Sequence, residues 1–209
     1  PASNIVRIAE KRGIETWDEF FSPRIAEKAV REKGNASVIT ATNVFAHVDD
    51  LKSFMEAVDL LLSKNGIFIF EAPYFGNLIN FLEYDTIYHE HLSYLLLEPI
   101  IKLANRFGME VSDVLERDIH GGSFRVFISR TGERQINERV ANFLQREKDS
   151  KWSCPDTLND FSQKVRENRE ELTSLLNSLK SSGKKVAAVS APAKGMTLLN
   201  YSRIGPDTL

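Results

Sequence analysis

The sequence is short of several things, and each shortage narrows what it can be. Its 209 residues hold one cysteine, Cys154, which excludes an intramolecular disulfide and any multi-cysteine metal site within the chain. A single thiol fits a reducing, cytoplasmic setting. No apolar run approaches the roughly 20 residues that a membrane helix needs. The opening Pro1-Ala2-Ser3-Asn4-Ile5-Val6-Arg7 lacks the apolar core of a signal peptide. A net charge of -2, with both signs mixed, gives no electrostatic reason to bind nucleic acid or an anionic membrane. Neither a Gly-x-Gly-x-x-Gly run nor the His-Glu-x-x-His spacing of a metal site occurs. Internal repeats and low-complexity segments are missing too. So are a start methionine and a terminal tail, and the sequence reads as a piece of a longer one.

What is present is ordinary in bulk. Apolar residues make up 42% and charged residues 27%, enough for one substantial core, or one core and a small second one. Residues 3–12 predict a short helix stopped by Gly13, Ile14 to Phe21 a short strand, and 23–33 a polar helix leaving through Gly34-Asn35. Ser37 to Thr42 reads as a buried strand. Asp49-Asp50 opens a helix with Leu51, Phe54, Met55, Val58, Leu61 and Leu62 on one stripe, closed by Lys64-Asn65-Gly66. Ile67-Phe68-Ile69-Phe70 is then a continuously apolar strand. Strand, amphipathic helix and strand make a parallel βαβ unit, whose apolar strands are covered on both faces. Ligands of such sheets bind beyond the carboxyl ends of the strands. A helix at 98–107, a strand from Glu110 to Glu116 and a strand from Phe124 to Ile128 complete this part. From Gln135 the chain turns helical and charged, with a helix of over twenty residues from about Leu158 to Leu179. Val186-Ala187-Ala188-Val189 predicts a strand, followed by a turn and a new helix from about Met196.

Half of the four histidines fall within Thr86-Ile87-Tyr88-His89-Glu90-His91-Leu92-Ser93-Tyr94, beside one carboxylate and two phenols. These are the side chains that move protons near neutral pH. In an extended segment, Tyr88 and Glu90 would share one face and His89 and His91 the other. One of these groups would serve as a general base; the plainer reading is a polar loop whose histidines cap backbone groups. His-x-His on a strand can also supply two metal ligands, with His47, His120 or a carboxylate as a third. The cluster favours base chemistry and no metal.

Other segments carry weaker signals. Asn43-Val44-Phe45-Ala46-His47 ends a strand where a small polar ligand group could sit, or simply leads into a helix. Glu19-Phe20-Phe21 could flank an adenine, or be core. His120-Gly121-Gly122-Ser123 allows close backbone approach to a ligand, or a tight hairpin. Ser190-Ala191-Pro192-Ala193-Lys194-Gly195 could hold phosphate through backbone amides and Lys194, although it is no P-loop.

Taken in order, Asn43-Val44-Phe45-Ala46-His47-Val48, Glu71-Ala72-Pro73-Tyr74, Tyr84 to His91, Ile119 to Ser123 and Ala193 to Tyr201 resemble the S-adenosylmethionine-dependent C-methyltransferases of deoxysugar biosynthesis. Tyr-His-Glu-His and His-Gly-Gly-Ser are the distinctive elements. The resemblance implies an α/β fold: a partial Rossmann-like class I methyltransferase sheet, a helical segment, and the start of a second α/β unit. The expected boundaries are 1–134 for the truncated methyltransferase-like domain, 135–183 for a helical connector, and 184–209 for the start of a C-terminal Rossmann-like domain. The family's cysteine-rich zinc-binding domain, its Gly-rich loop and the acidic residue after its second strand are not in this sequence. Zinc is therefore expected only outside this chain. The loop at Ser190 lacks the family's first glycine and has Pro192 instead.

The resemblance implies methylation of a carbon next to the ketone of a nucleotide-linked 4-keto-deoxysugar. A base removes the acidic proton, and the enolate takes the methyl group of S-adenosylmethionine. His91 or Tyr88 is the expected base, with Glu90 orienting it. His47 and His120 are expected at the enolate or sugar, Asn43 and Ala46 along the methionine end of the cofactor, and Glu19 and Phe20 at its adenine. Lys194 is expected near the diphosphate, and Gly121, Ser123 and Asn200 elsewhere along the substrate. The alternative is a catalytically inactive fragment acting as a sugar-nucleotide-binding or scaffold protein. The strand at 37–42 should have an unpaired edge, through which the chain would self-associate.

Overall fold

The computed structural model describes residues 2–119, 121–189 and 192–209. Ser3–Lys11 forms α1 and Pro23–Lys33 forms α2, with Pro23 at the helix start where its missing N–H costs nothing. Ala36–Thr42 is β1, Leu51–Leu61 is α3, Leu62–Pro73 is β2 and Phe75–Asn80 is the short α4. Leu97–Asn105 is α5, Met109–Arg117 is β3 and Ser123–Arg130 is β4. Glu138–Ser150, Pro155–Ser181 and Ala193–Ser202 form α6, α7 and α8. No helix among the described residues is long and apolar enough to cross a membrane.

The four strands make one sheet in the order β1-β2-β4-β3. β1 and β2 are parallel, with Thr42 opposite Glu71, so both carboxyl ends reach the same edge. β4 runs antiparallel to β2 and starts at that edge, Ser123 lying opposite Pro73. Three connections therefore converge there: the one after β1, the one after β2 and the one leading into β4.

The sheet is held by an aromatic stack. Phe68 and Phe70 alternate with Ile67 and Ile69 along β2 and are fully buried, with Phe124 of β4 and Phe54 and Met55 of α3 in the same core. Each buried phenylalanine contributes about 1.5–3 kcal/mol relative to leaving it in water. α3 begins cleanly because Asp50 accepts a hydrogen bond from the Ser53 N–H at 3.0 Å. α5 begins with help from another helix. The buried carboxylate of Glu147 on α6 accepts from the backbone N–H groups of Leu97 at 2.6 Å and Glu98 at 3.0 Å. It also accepts the Tyr74 hydroxyl at 3.0 Å, tying β2's end, α5 and α6 to one charge.

Five sequence expectations need correction, the last of them at β1. Ile14–Phe21 is not a strand: among the described residues it has no strand beside it, and Ile14 and Phe20 are exposed. Lys64-Asn65-Gly66 does not close α3, which ends at Leu61; these residues lie inside β2 at a register shift between Ala36 and Val38. Val186–Val189 is irregular rather than a strand, with Val189 93% exposed, because a four-residue apolar run without a pairing partner has nothing to bury against. The histidine-rich segment is not extended but folded into turns.

β1 pairs with β2 on one side, and among the described residues no strand covers its other edge. β1 is therefore not the buried strand expected: of its residues only Ala41 is buried and Val38 is 57% exposed, because among the described residues no strand covers that edge and α1 has no buried residue.

Candidate active site

Asn43 continues the β1–β2 ladder, its N–H donating to the Glu71 carbonyl at 2.9 Å. The backbone then turns sharply at Asn43 itself, whose φ of 52° asparagine tolerates better than most residues. A single 3-10 turn, Phe45–His47, follows. Phe45 is driven inward, stacked on Phe70 with ring centroids 4.4 Å apart. That anchoring leaves His47 on the outside of the turn, half-buried at the sheet edge.

The second connection is fastened to the first by one carbonyl. The Ala46 oxygen accepts from both Leu92 N–H at 3.0 Å and Ser93 N–H at 3.1 Å. His91 is thereby brought beside His47, their rings 5.0 Å apart and nearly edge-on. A turn closed by the His91 N–H on the Tyr88 carbonyl at 3.0 Å then folds the Tyr88 ring over His91, 4.3 Å between centroids. Tyr88 and His91 face inward together, while His89 and Glu90 are exposed. Alternation along an extended chain would have separated Tyr88 from His91; the turn is what unites them.

His91 Nδ1 lies 2.7 Å from the backbone carbonyl of Thr86. A carbonyl only accepts, so Nδ1 carries the proton and Nε2 keeps its lone pair. Glu90, expected to orient this ring, is exposed, and Thr86 fills that role. Burial pushes the His91 pKa below its ordinary value, with His47 and Lys194 adding to the effect; the Thr86 bond and Glu90 oppose it. Burial, then Glu90 and Asp85, pushes the Tyr88 phenol up. Near neutral pH the pair is a neutral imidazole and a protonated phenol.

These groups line a cavity of about 200 Å3 with Asn43, Pro73, Thr86 and Lys194. Lys194 arrives from α8, whose Tyr201 packs on Tyr84 at 5.6 Å, while Tyr84 donates to Asn168 of α7 at 2.9 Å. A larger cleft of about 580 Å3 opens between α4 and α7, bordered by Asn80, Trp152 and Lys164. It holds none of the histidines, and the smaller cavity is where the proton-transfer groups meet.

Not every expected residue reaches that cavity. Ala46 is buried and contributes its carbonyl rather than a cofactor surface. Glu19 pairs with Arg24 at the protein surface and Phe20 is 75% exposed; neither borders the cavity. Ser123 is fully buried with its hydroxyl donated to the Ile119 carbonyl at 3.2 Å, so it has no proton to offer a ligand. Asn200 sits on the exposed side of α8. His120 lies outside the described residues, as do Ser190 and Ala191. Gly121 and Gly122 take φ of 86° and 113°, and a Cβ on them would overlap the Glu83 carboxylate and the Asn77 amide respectively.

Sequence reasoning missed Thr86, whose contribution is a backbone oxygen and carries no side-chain signal. It also missed Glu83, which borders a recess sharing Pro73, Thr86 and His91 with the cavity. Of the groups expected along S-adenosylmethionine, Asn43 alone among Asn43, Ala46, Glu19 and Phe20 lines the cavity. A space of about 200 Å3 is also below the range of about 300–1,000 Å3 usual for such ligands. The described residues fit one small polar end of that cofactor and not the whole of it.

The comparisons with known proteins agree with the motif order. A family model described as a methyltransferase domain matches residues 5–114, and one described as a C-methyltransferase C-terminal domain matches residues 118–209. C-methyltransferase NovU of Streptomyces niveus is 32% identical over 206 residues, covering 98% of this chain and 49% of that protein. The chain thus spans about half the length of this curated relative. Among solved structures, an O-methyltransferase family protein from Burkholderia thailandensis is similar at a TM-score of 0.43 and 15% identity, covering 63% of this chain and 40% of that one. Magnesium protoporphyrin IX methyltransferase from Synechocystis PCC 6803, solved with bound SAH, gives 0.37 and 12%, covering 46% of each chain. With the first family model matching more than half of its residues, this α/β chain belongs to the methyltransferase-domain family.

Proposed function

We propose that the protein acts in C-methylation of a nucleotide-linked 4-keto-deoxysugar, with His91 as the base that makes the substrate carbon nucleophilic. The observation that carries this reading is the Thr86 carbonyl on His91 Nδ1, which leaves Nε2 as the free acceptor inside a cavity of matching polar groups. The low histidine and the high phenol support His91 rather than Tyr88 as base. The resemblance to C-methyltransferase NovU supports carbon as the methylated atom.

The chemistry runs as follows. Nε2 of His91 takes the proton from the carbon beside the ketone, the C–H bond breaks, and its electron pair moves onto the ketone oxygen as an enolate. Protonated Tyr88 and the Lys194 ammonium stand in the same cavity as donors to that oxygen or to the diphosphate. His47 lies beside the imidazole and contacts the sugar, as does the turn at Gly121. When bound, S-adenosylmethionine supplies the electrophilic methyl group. Asn43 would hold its small polar end. The bare edge of β1 supports self-association of the chain, and the partial cofactor site supports weak binding of the methyl donor by these residues alone.

Base chemistry can be tested without the methyl donor. In D2O, the chain should exchange the proton next to the ketone of a nucleoside-diphosphate 4-keto-6-deoxyhexose, followed by NMR. His91→Ala should slow this exchange by about a hundred- to ten-thousandfold, the range general-base catalysis contributes. Equal exchange by wild type and His91→Ala would sink the assignment. A scaffold protein would show no exchange above buffer in either.

A further inference from the structure

Glu83 lies just before the 3-10 turn Tyr84–Thr86 and is half-buried. It borders a recess behind His91 that shares Pro73, Thr86 and His91 with the main cavity. The remaining walls are largely apolar, including Ala46, Phe75 and Leu78. The recess has an open volume of about 10 Å3, room for about one water-sized group. The Gly121–Gly122 turn packs closely against Glu83 and Asn77, which a side chain on either glycine would overlap.

The carboxylate has acceptor capacity to spare. Among the described residues it takes part in none of the side-chain hydrogen bonds or ion pairs of the fold. Asp113 on β3, by contrast, receives two from Arg139, and Glu147 receives three. A carboxylate drawn out of water without a donor costs free energy that a bound donor would recover. Burial, with Asp85 adding to it and Lys194 opposing, raises the pKa of Glu83. Nothing in the base chemistry assigned to His91 uses this group.

We propose that Glu83 is a specificity-determining residue that accepts a hydrogen bond from one hydroxyl or ammonium substituent of the substrate ring, carried close to the carbon that loses its proton. The size of the recess admits one such group, its largely apolar walls favour a single polar contact, and an acceptor selects a donor. This inference rests on the keto-sugar reading above.

The test is a pair of titrations by calorimetry, using a nucleoside-diphosphate 4-keto-6-deoxyhexose with its ring hydroxyls and the same compound lacking those at C-2 and C-3. Wild type should bind the hydroxylated sugar at least about tenfold more tightly, from the usual strength of a hydrogen bond to a charged group. Glu83→Ala should reduce that preference at least threefold, and Glu83→Gln, which keeps the shape and one acceptor oxygen, should fall between the two. A preference in Glu83→Ala within threefold of wild type overturns the proposal and means that the recess holds a structural water only. Should Glu83→Ala fail to fold, Glu83→Gln decides: a preference equal to that of wild type overturns it. Binding of neither sugar by wild type would instead overturn the keto-sugar reading and this proposal with it, whereas an unchanged preference leaves the former standing.

Discussion

The interior of β2 and the rim beyond its carboxyl end are built on opposite principles. In the interior of β2, Phe68, Phe70 and Ala72 are fully buried among Phe45, Phe54 and Phe124. From Pro73 onward the chain enters a rim of turns, with left-handed backbone at Leu82, Gly121 and Gly122 and half-buried titratable groups at Glu83, Tyr88 and His91. The interior is packed by apolar contact, in which a missing atom is a cavity. The rim is arranged by single hydrogen bonds, in which a displaced carbonyl is a lost orientation. Stability and chemistry are therefore separable, except at Phe45, which belongs to both: its ring is core and its neighbour His47 is site.

The comparison can be broken most forcefully from the interior. Phe70→Ala should cost about 3–5 kcal/mol in denaturant unfolding, because it removes the ring on which Phe45 stacks. It should also weaken proton exchange at the substrate, since the turn carrying His47 loses its anchor. A stable Phe70→Ala protein with full exchange would mean that rim and interior are independent even at Phe45. His91→Ala is the converse, an exchange loss with an unfolding midpoint close to wild type. Gly122→Ala should have a smaller effect, about 1–3 kcal/mol, from a φ of 113° and the overlap with Asn77. Urea melts of the two variants side by side would rank them. The smallest intervention is pH. Protonating His91 fills Nε2 and stops it acting as a base, and its pKa is pushed below the ordinary histidine value of about 6.5. Exchange should therefore stay level through pH 7 and fall only as pH drops below that ordinary value. An acid limb centred above it would contradict the burial of His91.

The sequence was most legible where a period or a cap acts locally. The apolar run at 67–70, the Asp49-Asp50 opening of α3 and the Gly34 exit of α2 each gave the right element, because each depends on neighbours along the chain. Ile14–Phe21 and Val186–Val189 failed for the opposite reason: a strand exists only if another strand lies beside it, and propensity says nothing of that. In the site, the concentration of His89, Glu90, His91 and Tyr88 singled out a segment of which Thr86, Tyr88 and His91 line the cavity. Their division into an inward and an outward pair depended on one turn between Tyr88 and His91. Ser123 looked like a ligand contact because a hydroxyl in a Gly-Gly-Ser run invites that reading, yet its proton is spent on Ile119. The N-terminal cap of α5 was illegible in principle, since Glu147 lies about fifty residues further along the chain.

The doubly accepting oxygen of Ala46 has a mechanical consequence. Because Leu92 and Ser93 both hang from it, the two imidazoles belong to one rigid joint, although more than forty residues of chain separate them. The gap between the rings is set at this one oxygen, while the Thr86 carbonyl in the 3-10 turn sets the orientation of His91. Any change that displaces the Ala46 carbonyl would therefore move both imidazoles at once.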